Sequence, residues 1–436
     1  MKTLSELLAN KNRLPQGNIY KKNINGKTYF YHQYFSNGKR YSKIIDTKTA
    51  LELKEKILER KQIEKSINNL RTKERVVNLS KSADSLTGTV MMGNREVAEF
   101  KNGDLIWVDD DYAPLIIVRT HSLENFLSLR TLDISRTNAR ILKKVLNINT
   151  NEEYKIPLFS YALSISDNYW FKPKQSKLKY NDIIFNNDNY FDTSLKGDST
   201  LIGDKTRHTP ELTTTGSYEK GWKLINNEWW LYKSGNKNEY FSELFSSKFA
   251  KLIGLKTVDY TMDGDYIRTK NFAKTLNFEP MASIAGDNKE YNNVFNLLFK
   301  MNKRFAKEYL FIAFFDAVIY NIDRHNENLG FLRSRKNGKI LSLAPNFDNN
   351  LSLISTTNSL KYAKECGFVK VFLKFLKNNE NALNLYKTIP FKKIEKNEIE
   401  AIFNNIGIKV ENKDDLVEKI YERYTFLSTF FNNKDI

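Results

Sequence analysis

Asn321-Ile322-Asp323-Arg324-His325-Asn326-Glu327-Asn328, followed by Asn346-Phe347-Asp348-Asn349, is the part of the sequence that decides the fold. Asp323 and Asn328 are five residues apart. At that spacing, in phosphoryl-transfer loops, an aspartate accepts the proton of an acceptor hydroxyl and an asparagine holds Mg²⁺. The apolar run Phe305 to Tyr320 just before it predicts a buried helix. Phe331 to Arg335 and Lys339 to Leu343 read as strands joined by Asn337-Gly338, a pair that tolerates positive φ. This hairpin returns the chain to the loop and sets Asp348 at a strand end. There its carboxylate, with Asn328, waters and phosphates, would complete an oxygen ligand set for Mg²⁺.

Working outward, Thr213 to Gly221 is a polar turn with Gly216 and Gly221, preceding strand-like runs over Trp222 to Ile225 and Glu228 to Lys233. Glycine turns bring backbone N–H groups close to phosphate oxygens, although an ordinary surface hairpin has the same composition. The second run ends in Lys233, as does the strand whose lysine pairs with nucleotide phosphates in kinases. Ten residues on, Glu243 lies on a predicted amphipathic helix with Asn238 as N-cap and Gly254 as stop, where it can hold Lys233 by an ion pair. Asp316, a carboxylate within the apolar helix, needs hydrogen bonds to be tolerated there, and backbone N–H groups of the 321–328 loop are the expected donors. Arg324 is expected to pair within the loop and His325 to serve as a structural hydrogen-bonding residue. His32, His121 and His208 are scattered and build no zinc site with one cysteine.

These residues resemble the HipA-like serine/threonine kinases, from about Ser164 to the C-terminus. Ser166-Asp167-Asn168-Tyr169-Trp170 looks like the segment before the kinase core in one branch of that family. Thr215-Gly216-Ser217 with Lys220 is similar to its nucleotide-covering loop, and Glu243 to Leu255 to its first core helix. Asp323-Arg324-His325-x-x-Asn328 and Phe347-Asp348 resemble its catalytic and metal motifs. The resemblance implies an α+β, two-lobed, protein-kinase-like fold with a helical C-terminal lobe, and transfer of the γ-phosphate of ATP to serine or threonine with Mg²⁺. Ile267 to Phe272, including Lys270 and Phe272, would be the strand and hinge that hold adenine. Known members are often toxins of toxin–antitoxin pairs, which implies an antitoxin protein as partner and a translation factor or aminoacyl-tRNA synthetase as substrate. Several members phosphorylate a serine in their own nucleotide loop; Ser217 stands there, with Thr213, Thr214 and Thr215 as neighbouring alternatives. Unlike conventional protein kinases, the chain has no Gly-x-Gly-x-x-Gly, and Ala344-Pro345 precedes the metal aspartate motif.

At 436 residues, with 41% hydrophobic and 13% aromatic content, the chain reads as globular and multi-domain. The boundaries read as 1–75, 80–205, 206–285 (nucleotide-binding lobe) and 286–436 (helical catalytic lobe). A single cysteine, Cys366, and no apolar run of membrane-spanning length suggest a cytoplasmic protein without a membrane partner. The net charge is +18, of which residues 1–75 carry +11, from 18 Lys and Arg against 7 Asp and Glu. Asn25-Gly26 and Asn37-Gly38 mark a three-stranded β-meander over residues 18–45, and residues 48–75 read as a charged helix. Its interleaved lysines and aromatics suit a DNA groove or single-stranded bases, and equally a docking module with a solvated basic face. Strands are expected around Gly88–Met92, Val97–Phe100 and Leu105–Val108, then a helical run from Leu123 to Leu146 whose Arg136 and Arg140 bind phosphate or line a solvated face. Residues 171–205 read as a loop or linker. Two further functions compete with the kinase: a DNA-binding regulator that uses the kinase fold to sense nucleotide, and a lipid kinase.

Overall fold

The computed structural model describes residues 10–11, 13–24, 26–36, 39–63, 86–200, 207–288, 290–353 and 367–430. Asn25, Asn37-Gly38, residues 64–75 of the charged helix and Cys366 lie outside the described residues. The chain divides into two compact units, Met1–Asp84 and Ser85–Ile436.

In the first unit, β1 (Asn18–Ile24), β2 (Lys27–Ser36) and β3 (Lys39–Ile45) form an antiparallel sheet in sequence order. A helix over 47–63 follows, with the Asp46 carboxylate accepting the Thr49 N–H at 2.9 Å, as an N-capping side chain does.

The second unit is α+β, with three antiparallel sheets among its described residues. Strands β4 (Gly88–Met92), β5 (Arg95–Lys101), β6 (Asp104–Val108) and β7 (Tyr169–Pro173) make one, in the order β6-β5-β4-β7. Strands β8 (Lys220–Ile225), β9 (Glu228–Lys233), β10 (Tyr260–Asp263) and β11 (Tyr266–Lys270) make the second, ordered β10-β11-β9-β8. Strands β12 (Leu276–Pro280), β13 (Gly330–Ser334) and β14 (Ile340–Leu343) make the third; Gly338, at φ +66, closes the β13–β14 hairpin predicted from its Asn-Gly pair. Helices Tyr291–Met301, Lys303–Ile319, Gly367–Asn378, Glu380–Tyr386 and Lys413–Thr429 pack around one phenylalanine-rich core. In it Phe314 lies 4.5 Å from Phe391 and 5.5 Å from Tyr424, ring centroid to centroid. Burying each such side chain stabilises the fold by roughly 2–3 kcal/mol.

Three local expectations are corrected. The run Leu123 to Leu146 is two helices, Leu123–Ser128 and Thr137–Val145, because Asp133 accepts from the N–H and the hydroxyl of Ser135 in a turn that competes with helix. Residues 171–200 are not a linker: they include a short helix, Phe191–Lys196, whose Phe191 and Leu195 are buried against Tyr232. The polar composition hid those anchors. The N-cap of the Lys237–Leu252 helix is Asn236, in a capping box with Glu239, rather than Asn238.

Candidate active site

Lys220 and Lys233 are directly opposite each other across β8 and β9. Both are buried, at 6% exposure. Like charges in that position repel, so the pair needs an anion between or above it. Asp348 supplies one: its Oδ1 accepts from Lys233 Nζ at 2.6 Å. Burial alone would raise the Asp348 pKa, but the Lys233 and Lys220 ammoniums hold it down at about 2. Lys220 has no hydrogen-bond or ion-pair acceptor among the described residues, and burial lowers its pKa to about 8. Its Nζ lies beneath the turn before β8, where a Cβ on Gly216 (φ +90) would stand 2.5 Å from it.

That turn is held from outside the sheet. Arg136, expected to bind phosphate or face solvent, is buried at the start of the Thr137–Val145 helix and donates to the Thr214 carbonyl at 2.6 Å. Arg140 is exposed. Thr213 and Thr214 are buried, their hydroxyls donating to the Leu163 and Pro210 carbonyls and to the Pro210 carbonyl respectively. Thr215 is half-buried and Ser217 exposed.

Glu243, buried on the Lys237–Leu252 helix, faces the same place. Lys233 Nζ is 3.8 Å from its Oε1, so the lysine sits closer to Asp348 than to the glutamate predicted to hold it. Glu243 Oε2 instead accepts the Asn349 N–H at 2.5 Å. Its Oε1 is buried without a hydrogen bond from a described residue, and burial, against the pull of Lys233, raises its pKa. For Lys233 burial works against the ammonium, yet Asp348 and Glu243 outweigh it and raise its pKa. Tyr260, which nothing in the sequence marked, is buried on β10 and accepts the Asp348 N–H at 3.3 Å. Asp348 has φ +59, a left-handed backbone that costs a non-glycine residue about 1–3 kcal/mol and that concentrates at functional sites.

The loop after the Lys303–Ile319 helix is organised by Arg324, whose side chain is 8% exposed. It donates to both oxygens of the fully buried Asp316, at 2.9 and 3.0 Å, to the Asn328 and Phe347 carbonyls at 2.7 and 2.9 Å, and to the side-chain oxygens of Asn346 and Asn349 at 2.6 and 2.8 Å. One guanidinium therefore ties the Asp323 loop to the Asp348 loop. The donors to Asp316 are side chains, Arg324 and the Asn321 amide at 3.0 Å, rather than the backbone N–H groups expected. A planar guanidinium satisfies both carboxylate oxygens at once, which single amides cannot. Asn321 Oδ1 also accepts the Asp323 N–H at 3.0 Å. The Asp323 carboxylate is 38% exposed, 4.0 Å from His325 Nε2, and His325 Nδ1 accepts the Glu327 N–H at 3.2 Å. Asn328 Nδ2 donates to the Asp323 carbonyl at 3.1 Å, and its Oδ1 takes no hydrogen bond from a described residue.

Two expected residues stand elsewhere. Lys270, three positions along β11 from the partner of Lys233, forms an ion pair with Glu228. Phe272 packs on Phe278 and on Phe347, the neighbour of Asp348, with centroids 5.4 and 5.5 Å away, and against the cluster that includes Tyr260.

No family model and no curated protein matches the chain. Among solved structures it is similar to the Helicobacter pylori proinflammatory kinase CtkA, at 21% identity and TM-score 0.40, over 48% of this chain and 93% of that one. It is also similar to a chain of the Shewanella oneidensis MR-1 toxin–antitoxin complex of HipA, HipB and operator DNA, at 14% identity and TM-score 0.49, over 79% of this chain and 97% of that one. Both scores are below 0.5, and the functional reading rests on the side chains instead. No helix among the described residues is long and apolar enough to cross a membrane.

The residues fit a magnesium nucleotide. A buried lysine without an acceptor among the described residues lies beneath a glycine turn, beside a second lysine whose ammonium is already bonded to Asp348. Among the described residues no three His, Cys, Asp or Glu side chains group to hold a metal ion. Mg²⁺ carried by phosphates needs only one or two protein oxygens, which Asp348 and Asn328 can supply.

Proposed function

We propose that the second unit is an ATP- and Mg²⁺-dependent phosphotransferase that phosphorylates serine or threonine hydroxyls of proteins, in the manner of HipA-like kinases. The observation that carries this reading is the opposed, buried pair Lys220 and Lys233, with Lys220 beneath the Gly216 turn, Lys233 bonded to Asp348, and both ammoniums holding down the Asp348 pKa. Two adjacent cations in a low-dielectric site suit a polyphosphate better than a single carboxylate.

When bound, Mg²⁺ neutralises charge on the phosphate oxygens. Lys220 and Lys233 bind the phosphate chain, and Gly216 lets the turn's backbone come close to it. Asp323, half-exposed on a loop pinned by Arg324 and Asn321, orients the acceptor hydroxyl and takes its proton. Arg324 positions both loops without touching the reacting atoms, so the site gains most of its effect from prearranged geometry and charge. A toxin role, an antitoxin partner and a translation factor or aminoacyl-tRNA synthetase as acceptor belong to the same proposal and rest on the sequence resemblance alone.

The test is incubation of the wild type, Asp323→Ala and Asp348→Ala with Mg²⁺, γ-labelled ATP and added cell lysate, followed by mass spectrometry. Label on serine or threonine is expected with the wild type only. Wild-type-level transfer by either variant would sink the assignment.

A further inference from the structure

The register of the first unit's sheet sorts its side chains into two faces. Tyr20, Tyr31 and Ile44 lie in one cross-strand row and Asn18, Gln33 and Ser42 in the next. Because side chains alternate along a strand, these rows share a face with Lys22, Lys27 and Arg40. That face is open: Tyr20 is 45% and Ile44 59% exposed, and Lys22, Lys27, Arg40 and Ser42 are exposed too. Tyr29, Tyr31 and Gln33 on it are half-buried; on the opposite face Ile19, Phe30, His32, Tyr34 and Ile45 are half-buried and Lys21, Tyr41 and Lys43 exposed.

The charge of the segment says what class of partner the sheet suits. Between Glu6 and Asp46 the sequence holds no acidic residue and eight cations, Lys11, Arg13, Lys21, Lys22, Lys27, Lys39, Arg40 and Lys43, of which Lys22, Lys27 and Arg40 stand on this face and Lys21 and Lys43 on the opposite one. An uninterrupted positive segment with an exposed apolar and hydrogen-bonding centre suits a polyanion that also presents edges to be read. Those edges match the side chains. Arg40 donates to Gln33 Oε1 at 2.5 Å and Gln33 Nε2 to Ser42 Oγ at 3.4 Å, a polar row whose arginine and glutamine have the geometry to meet guanine and adenine in the major groove. Three strands at about 4.8 Å spacing are roughly 10 Å across, within a major groove about 12 Å wide. Lys22 Nζ lies over the Tyr31 ring, 5.4 Å from its centroid, and covers one of the rings on which single-stranded bases would stack. The narrow major groove of an RNA helix excludes such a sheet.

We propose that this face binds duplex DNA in the major groove, with Arg40 and Gln33 toward base edges and Lys22 and Lys27 toward phosphates. The proposal is independent of the phosphotransfer reading. It is tested on the full chain by fluorescence anisotropy with labelled duplex DNA of mixed sequence, single-stranded DNA and double-stranded RNA over a salt series. Duplex DNA should bind best, with affinity falling steeply as salt rises. Lys22→Ala/Arg40→Ala should weaken it about tenfold and make the salt slope shallower by about 2. Removing two exposed charges from the helix, Lys54→Ala/Lys56→Ala, should change affinity by no more than about twofold. Equal losses in the two double variants, wild-type affinity in Lys22→Ala/Arg40→Ala, or tighter binding of single-stranded DNA or RNA would overturn the assignment. Absence of duplex binding would overturn it as well, and would leave the face to a protein.

Discussion

Lys220→Met should make the protein more stable and a poorer nucleotide binder at once. The lysine is 6% exposed, and burial brings its pKa from 10.5 to about 8. At about 1.4 kcal/mol per pH unit, that difference corresponds to roughly 3 kcal/mol of destabilisation while the ammonium is charged. The penalty is complete below pH 8, where folded and unfolded chains both hold the proton. Between pH 8 and 10.5 the unfolded chain keeps a proton that the folded one has released, so wild-type stability gains from this group as pH rises. Methionine keeps the length and apolar stem without charge. All five tryptophans, Trp107, Trp170, Trp222, Trp229 and Trp230, lie in the second unit, so urea unfolding followed by their fluorescence reports on it. The expected gain is on the order of 3 kcal/mol at pH 7, shrinking toward nothing near pH 10.5. Titration calorimetry should show ATP affinity lower by about tenfold or more, the worth of a charge-assisted hydrogen bond. A variant less stable at pH 7, or a gain equally large at pH 10.5, would refute the electrostatic account; unchanged ATP affinity would remove Lys220 from the phosphate site.

Asp316→Ala strands the buried Arg324 guanidinium and should lower stability by about 3–5 kcal/mol, read as a fall in urea midpoint, with Arg324→Lys failing to restore the loop because an ammonium has no fork. Glu211 is buried with Oε1 accepting the Trp222 N–H at 2.8 Å, and burial raises its pKa to about 8. The folded chain thus keeps a proton that the unfolded chain loses above about pH 4.5, and stability falls from there to pH 8; Glu211→Gln should flatten that slope in urea melts, and an unchanged slope would contradict it. Self-phosphorylation should fall on the exposed Ser217 and vanish in Ser217→Ala, while label persisting on Thr213 or Thr214 would require the buried turn to open.

Much of the second unit was legible because its signals are local. The β13–β14 hairpin follows from Asn337-Gly338, since positive φ is a property of one or two residues. The Lys303–Ile319 helix follows from an apolar run too long for a strand. The failures are also physical. Asp133 and Ser135 form a turn within an otherwise helical pattern, and a few apolar side chains anchor a stretch whose average composition is that of a linker. Lys270 carries no local signal of its partner on the neighbouring strand, Glu228, with which it forms an ion pair.

By itself the sequence determined the order of the chemical groups, the elements that carry them, and the concentration of positive charge in residues 1–75. Only the tertiary structure decided that Lys233 bonds Asp348, 115 residues away, in preference to Glu243, ten residues away. It alone set Lys220 opposite Lys233, buried Arg136 behind the turn, brought Tyr260 to Asp348, and made Arg324 the tie between two loops. Turn and helix preferences act over a few neighbouring residues and leave a periodic trace. Charge coupling and hydrogen bonding depend on separation through space and on exclusion of water, and neither is recorded in the spacing of residues along a chain.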